Sequence, residues 1–316
     1  MAEFANSSET VYGGVITPLV LPLFPNQIPD FDSLEQLLEF QIAGNVDGFW
    51  LNGTSGEFYA LREEQRVEVI QVAKRCIKGR AKIIAHVGHA STRLVIEHTE
   101  TILELGVDAL ALVPPYYIPH SQTELIDHFR TVSHEFNQPL FLYHVPSMCK
   151  NSLSYENIVM LAAEGTLIGL KDSAGDLKSF ADLVQKTQRM NFCCLNGNSR
   201  YLGKGFSVGA HGFAGAIANM LPARCKEAYE AAQHGDEEKV EASQKFINDV
   251  FRVLSDLPGK ASFTWLNKWV MKELGVIRHD TAFQPFDRLD SVGENYLRTN
   301  LMPLARGVIS DVKVPA

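Results

Sequence analysis

The feature that most constrains this chain is a beat. Short apolar stretches, each followed by an amphipathic helical pattern, recur eight times between Gly13 and about residue 235. The strand-like stretches are Gly13–Leu19, Asp47–Leu51, Lys82–Val87, Asp108–Val113, Pro139–Val145, Leu167–Lys171, Asn191–Leu195 and His211–Ala216. Between them, Asp32–Ala43, Arg62–Ile77, Ser91–Leu105 and Ser121–Phe136 carry helical periodicity, and Ser91 is placed to cap its helix. Strands that read as unbroken apolar runs are covered on both faces, as in a parallel sheet wrapped by helices. Eight such units in this length match a (β/α)8 barrel.

From about Asp236 onward the strand signal stops. Phe263, Leu266, Trp269, Val270 and Leu274 recur at helical spacing, which predicts added helices packed on the barrel. The expected organisation is an N-terminal extension over 1–12, a TIM barrel over 13–235 and a C-terminal helical extension over 236–316. No Pro-, Gly- or Ser-rich linker separates a second domain.

Composition narrows the function. A net charge of −8 without a basic cluster argues against nucleic acid as a partner. Five cysteines form no CxxC pair and read as reduced thiols of a cytoplasmic protein. No apolar run reaches the roughly 20 residues of a membrane span, and Met1–Thr10 does not resemble a targeting segment. No HxH, HExxH or carboxylate cluster offers a metal site, so no metal is expected.

In a barrel of this kind, chemistry sits at the C-terminal ends of the strands. Leu167–Asp176 ends an apolar run on Lys171 and then breaks into small and acidic residues. A lysine buried there loses hydration, which lowers its pKa toward a nucleophilic amine. The plain alternative is a lysine that snorkels to solvent or pairs with Asp172. After the second strand, Gly53-Thr54-Ser55-Gly56-Glu57 makes a turn whose amides and hydroxyls can face a carboxylate. Pro114-Pro115-Tyr116-Tyr117 follows the fourth strand, and Tyr143 lies on the fifth. His144, one residue on, has the opposite parity and faces the helices. A desolvated amine condenses with a ketone to a Schiff base, a sink for electrons in carbon–carbon cleavage. Tyrosine and threonine hydroxyls can move the protons.

These motifs, in this order, resemble the dihydrodipicolinate synthase/N-acetylneuraminate lyase family of class I, pyruvate-dependent aldolases. Gly53–Glu57 is similar to the family's G-[ST]-T-G-E, Pro115-Tyr116-Tyr117 to its P-Y-Y, and Tyr143–Pro146 to its Y-N-x-P. Gly169–Ser173 is similar to the strand with the Schiff-base lysine. The resemblance implies that Lys171 binds pyruvate covalently, with no other cofactor, and that Tyr143 is the general acid/base. It implies that Thr54 relays protons and that Gly53 and Ser55 hold the keto-acid carboxylate. Tyr117 would complete the relay in a neighbouring subunit, so a homo-oligomer, dimer or tetramer, is part of the expectation. Gly215 and Ala216, placed at the end of the eighth strand, and Ser173 would lie beside the substrate.

Three departures bear on the substrate. Met148 stands where dihydrodipicolinate synthases carry an arginine, and an apolar side chain cannot hold a carboxylate in a bidentate contact. Gly197-Asn198-Ser199-Arg200 lacks the acidic pair of sialic acid lyases, and Arg200, if turned into the mouth, favours a distal carboxylate or phosphate. His144 replaces the usual asparagine. The expected activity is therefore cleavage of a 2-keto-3-deoxy-aldonate-like or hydroxy-keto acid to pyruvate and an aldehyde. Dihydrodipicolinate synthase, N-acetylneuraminate lyase, keto-deoxy-glucarate dehydratase and a non-catalytic keto-acid sensor remain as alternatives.

Overall fold

The computed structural model describes residues 12–286 and 288–309. Of the expected N-terminal extension only Tyr12 falls among them; residues 1–11 lie outside the described residues. Eight parallel strands close into a barrel in chain order, β8 pairing back onto β1. They are β1 (Gly14–Pro18), β2 (Gly48–Leu51), β3 (Lys82–His86), β4 (Ala109–Leu112), β5 (Leu140–His144), β6 (Gly169–Asp172), β7 (Cys193–Asn196) and β8 (Gly212–Phe213). Eight helices alternate with them: α1 (Phe31–Ala43), α2 (Glu63–Ile77), α3 (Thr92–Leu103), α4 (Gln122–Phe136), α5 (Tyr155–Ala163), α6 (Leu177–Thr187), α7 (Leu202–Ser207) and α8 (Pro222–Gln233). Four more follow: α9 (Glu237–Ser255), α10 (Phe263–Glu273), α11 (Ser291–Asn300) and α12 (Met302–Ile309).

The helices start where short polar side chains can satisfy free amides. Ser91 accepts from the Leu94 amide, as expected, and Asp30, Ser154, Asp176 and Ser262 do the same for α1, α5, α6 and α10. Ser121 and Glu124 form a reciprocal capping box at the start of α4.

Side chains alternate between two cores. Val15, Phe49, Leu110, Leu142 and Leu170 point outward and pack under the helices. Ile16, Trp50, Ile84, Ala111, Phe141, Tyr143 and Leu195 fill the barrel itself. Each fully buried Val, Leu, Ile or Phe among them contributes about 1.5–3 kcal/mol of apolar transfer energy. At the N-terminal end Tyr12 sets its ring edge-on to Phe141 (5.5 Å) and donates to the Asp108 carbonyl (2.8 Å). The opposite, C-terminal end is left for chemistry.

Several boundaries shift by a residue or two from the sequence reading, β6 for example starting at Gly169 and not Leu167, and the eighth strand differs most. The eighth strand is two residues long rather than six. Ala214 still donates to the Asn196 carbonyl (2.8 Å), but the Gly215 carbonyl is taken by the Ala218 amide (3.1 Å), which turns the chain into a 3-10 segment over Ala216–Asn219. Gly215 and Ala216 therefore lie in the turn beyond β8, not at a strand end. The seventh strand begins two residues later than expected, at Cys193. In the C-terminal helices, Trp265, Leu266, Trp269 and Val270 are buried, and α10 packs against the Ala216–Asn219 turn.

Candidate active site

Parity and pairing put Tyr143 and Lys171 side by side. They are direct partners across the β5–β6 ladder, and both face the barrel interior. Two residues earlier on β6, Gly169 leaves the room that the Phe141 ring occupies; a Cβ there would sit 2.2 Å from Phe141 Cε1. Lys171 is 3% exposed. Its Nζ lies 4.2 Å from the Tyr143 ring centroid and 4.9 Å from that of Trp50. Burial between these rings pushes its amine down to about 7.

Neither plain alternative for this lysine holds. It does not snorkel out, and it does not pair with Asp172, whose side chain has the opposite parity. Asp172 instead accepts from the Tyr155 hydroxyl (2.7 Å) and the Ala174 amide (2.7 Å). His144, its partner across the ladder, also faces outward. The imidazole lies 5.3 Å from the Tyr155 ring and its Nδ1 3.3 Å from Ser152 Oγ. The outward placement expected of His144 is what the structure has.

The Tyr143 phenol is nearly enclosed, and burial pushes its pKa up, with the Thr54 and Ser173 hydroxyls acting in the opposite sense. Thr54 Oγ1 donates to the Tyr143 hydroxyl over 3.4 Å. Thr54 and Ser55 are half-buried in a turn closed by the Glu57 amide on the Thr54 carbonyl (3.0 Å). Gly53 must be glycine: a Cβ would meet Trp50 Cδ1 at 2.9 Å. Ser173 stands at the top of β6, its amide on the His144 carbonyl (2.8 Å). Gly215 lies against Ser199, whose Oγ would be 2.9 Å from a Cβ there and accepts from the Ile217 amide (3.2 Å).

Three expected site residues stand apart from this group. Tyr117 is 80% exposed with a left-handed φ of 83° and makes no contact with Thr54 or Tyr143 within one chain. Met148 is 69% exposed. Arg200 does not turn toward the lysine; its guanidinium lies over the Phe251 ring of α9 (4.2 Å) beside an open depression shared with Lys204 and Asn248.

Two neighbours of Lys171 and Tyr143 were not singled out from the sequence. Trp50 walls Lys171 and Tyr143, its ring 5.6 Å from that of Tyr143. His86, wholly buried, sits 6.3 Å from Tyr143 and 4.4 Å from Phe58, and accepts from the Val113 amide (3.3 Å). Burial holds it neutral, its pKa well below the usual value. The available signal was parity: both occupy inward positions of their strands. Among the described residues no group of three or more His, Cys, Asp or Glu is placed to hold a metal, and no helix is long and apolar enough to cross a membrane.

A buried lysine with no carboxylate partner among the described residues, facing a tyrosine at the C-terminal end of a parallel eight-stranded barrel, is the layout of a pyruvate-dependent carbon–carbon lyase. The chain belongs to the dihydrodipicolinate synthetase family, whose model matches residues 11–302. An uncharacterised DapA-like lyase of Halobacterium salinarum is 32% identical over 78% of this chain and 80% of its own. The 4-hydroxy-tetrahydrodipicolinate synthase of Laribacter hongkongensis is 30% identical over 91% of this chain and 97% of its own. Among solved structures, the chloride-inhibited dihydrodipicolinate synthase of Acinetobacter baumannii complexed with pyruvate superposes with a TM-score of 0.84 at 28% identity. That match covers 96% of this chain and 99% of the other.

Proposed function

We propose that this protein is a class I aldolase that reversibly cleaves a 2-keto-3-deoxy-aldonate-like or hydroxy-keto acid to pyruvate and an aldehyde. The observation that carries the reading is Lys171: a buried amine with no carboxylate partner among the described residues, lowered to about 7 and in register with Tyr143. As the neutral amine it attacks the C2 ketone, and loss of water gives a protonated imine. Tyr143 supplies the proton with which the carbinolamine hydroxyl leaves as water, so its phenolate forms as the iminium does, held by the iminium charge and by the Thr54 hydroxyl that donates to it. The phenolate takes the proton of the C4 hydroxyl, the C3–C4 bond breaks, and its electron pair moves into the imine as an enamine. The aldehyde leaves; protonation at C3 and hydrolysis free pyruvate and the amine.

The remaining roles are those the family resemblance implies. The Gly53–Ser55 turn would hold the C1 carboxylate, and Ser173, Gly215 and Ala216 would line the substrate. Tyr117, strained and projecting from its own chain, would complete the relay in a second copy, so the working form is a homo-oligomer. Met148 and Arg200 would border the aldehyde half. Five unpaired cysteines fit a reducing cytoplasm.

A second reading, 4-hydroxy-tetrahydrodipicolinate synthase, is favoured by the names of the relatives. It asks for a carboxylate anchor where this chain has the apolar Met148. The first test is reduction with borohydride in the presence of pyruvate, which adds a mass to Lys171; a folded protein with Lys171 unmodified refutes the mechanism. Pyruvate release from a panel of keto-deoxy sugar acids, 4-hydroxy-2-oxoglutarate and sialic acid then separates the readings. Release of water without pyruvate would instead mark a dehydratase.

A further inference from the structure

Lys268 is a buried cation to which the reaction above gives no role. It lies on α10 and is 0% exposed, as is Glu57, the last residue of the carboxylate-binding turn. Lys268 Nζ pairs with Glu57 Oε2 and also donates to the Thr281 carbonyl (2.9 Å). The other carboxylate oxygen of Glu57 accepts from the Phe283 amide (2.8 Å). The two ionic residues are 211 positions apart, so the C-terminal helices grip a loop of the barrel mouth.

Stability alone is a poor account of such a pair. Desolvating two charges offsets their attraction, and apolar residues of similar volume often do as well. Glu57 also holds a left-handed backbone, φ 55° and ψ 37°, a conformation that persists in a non-glycine residue where its surroundings enforce it. The enforced geometry is passed on. The Glu57 amide closes the turn on the Thr54 carbonyl (3.0 Å), and Thr54 reaches the Tyr143 hydroxyl. α10 meanwhile packs on the Ala216–Asn219 turn beyond β8, so a single helix touches two sides of the mouth.

We propose that Lys268 is a positioning residue that fixes the carboxylate-binding turn through Glu57, and that α10 thereby sets how tightly the keto acid is held. The inference rests on the pyruvate-binding reading of the Gly53–Ser55 turn. Its test is a double variant, Glu57→Gln with Lys268→Met, which removes both charges at nearly constant volume. Trapping by borohydride is followed against pyruvate concentration in the full chain. The expected result is a half-saturating concentration raised about tenfold, with trapping at saturating pyruvate within about threefold of the unaltered protein. A merely structural pair would move the melting temperature and leave half-saturation unchanged, and that result overturns the proposal while the aldolase reading stands. An unaltered protein that forms no adduct overturns both. Should the double variant not fold, hydrogen exchange on the unaltered protein decides. Pyruvate is expected to slow exchange in the 281–283 segment together with the 53–58 turn; protection confined to the turn refutes the coupling.

Discussion

Lys171 carries two opposite consequences of one burial. Its amine titrates near 7, so the nucleophilic form dominates above that pH and is lost below it. Trapping with pyruvate and borohydride is expected to fall about tenfold for each pH unit below 7 and to level off above. A profile centred near the ordinary lysine value of 10.5 would contradict the burial argument. Stability runs the other way. Between about 7 and 10.5 the unfolded chain binds more protons than the folded one, so this residue's penalty shrinks as pH rises through that window. At neutral pH the penalty is about 4 kcal/mol. Lys171→Met is therefore expected to raise the thermal midpoint at pH 7 while abolishing adduct formation, with the gain vanishing toward pH 10.5. Tyr143→Phe should leave the imine measurable and slow turnover by about 10²–10⁴-fold, the usual worth of a general acid/base. Both residues were legible in the sequence because each is a polar side chain at an inward position of an apolar strand. Trp50 and His86 share that parity but look like ordinary core in a one-dimensional pattern, and only the closed barrel brings them to the amine.

At the scale of elements, the eightfold beat predicted the barrel because mostly apolar strands alternate with amphipathic helical patterns, one of them opening on the capping Ser91. The end of β8 was not legible. Phe213-Ala214-Gly215-Ala216 is one apolar run, and periodicity cannot mark where such a run stops pairing and starts to turn. Lys268 was hidden for another reason. It sits on the buried face of α10 with Trp265 and Trp269, which marks it as unusual, yet nothing local names a partner 211 positions away. Strand packing makes its own prediction at Gly169. Gly169→Ala would place a methyl 2.2 Å from Phe141 Cε1, so the ring or strand β6 must move. A loss of about 1–3 kcal/mol is expected in denaturant unfolding, the usual cost of overpacking, together with slower adduct formation as Lys171 is displaced. Unchanged stability would mean that the Phe141 ring moves freely.

The whole molecule presents a large, strained aromatic side chain to solvent at the site's edge. Tyr117 is 80% exposed, and its left-handed φ costs on the order of 1 kcal/mol unless something holds it. If a second copy supplies that support, Tyr117→Phe should slow turnover while trapped imine still forms. Light scattering should report a dimer or larger species at working concentrations. A fully active monomer would remove Tyr117 from the machinery. The motif order pointed to this tyrosine, but the aldehyde half of the substrate stayed illegible because its candidates, Met148 and Arg200, ride on connecting segments. Where a loop side chain comes to rest depends on partners such as Phe251, which no local pattern specifies.

The pairing of β5 with β6 has one more consequence. Tyr143 and Lys171 face in, and their immediate neighbours His144 and Asp172 face out, as matched partners across the same ladder. Shifting both strands by a single position would carry the amine and phenol out among the helices and bring an imidazole and a carboxylate into the mouth. On the proposed mechanism, activity therefore reports on how these two strands have paired. A chain that forms the adduct has set these two strands in frame, and a mispaired barrel, however compact, would be chemically silent.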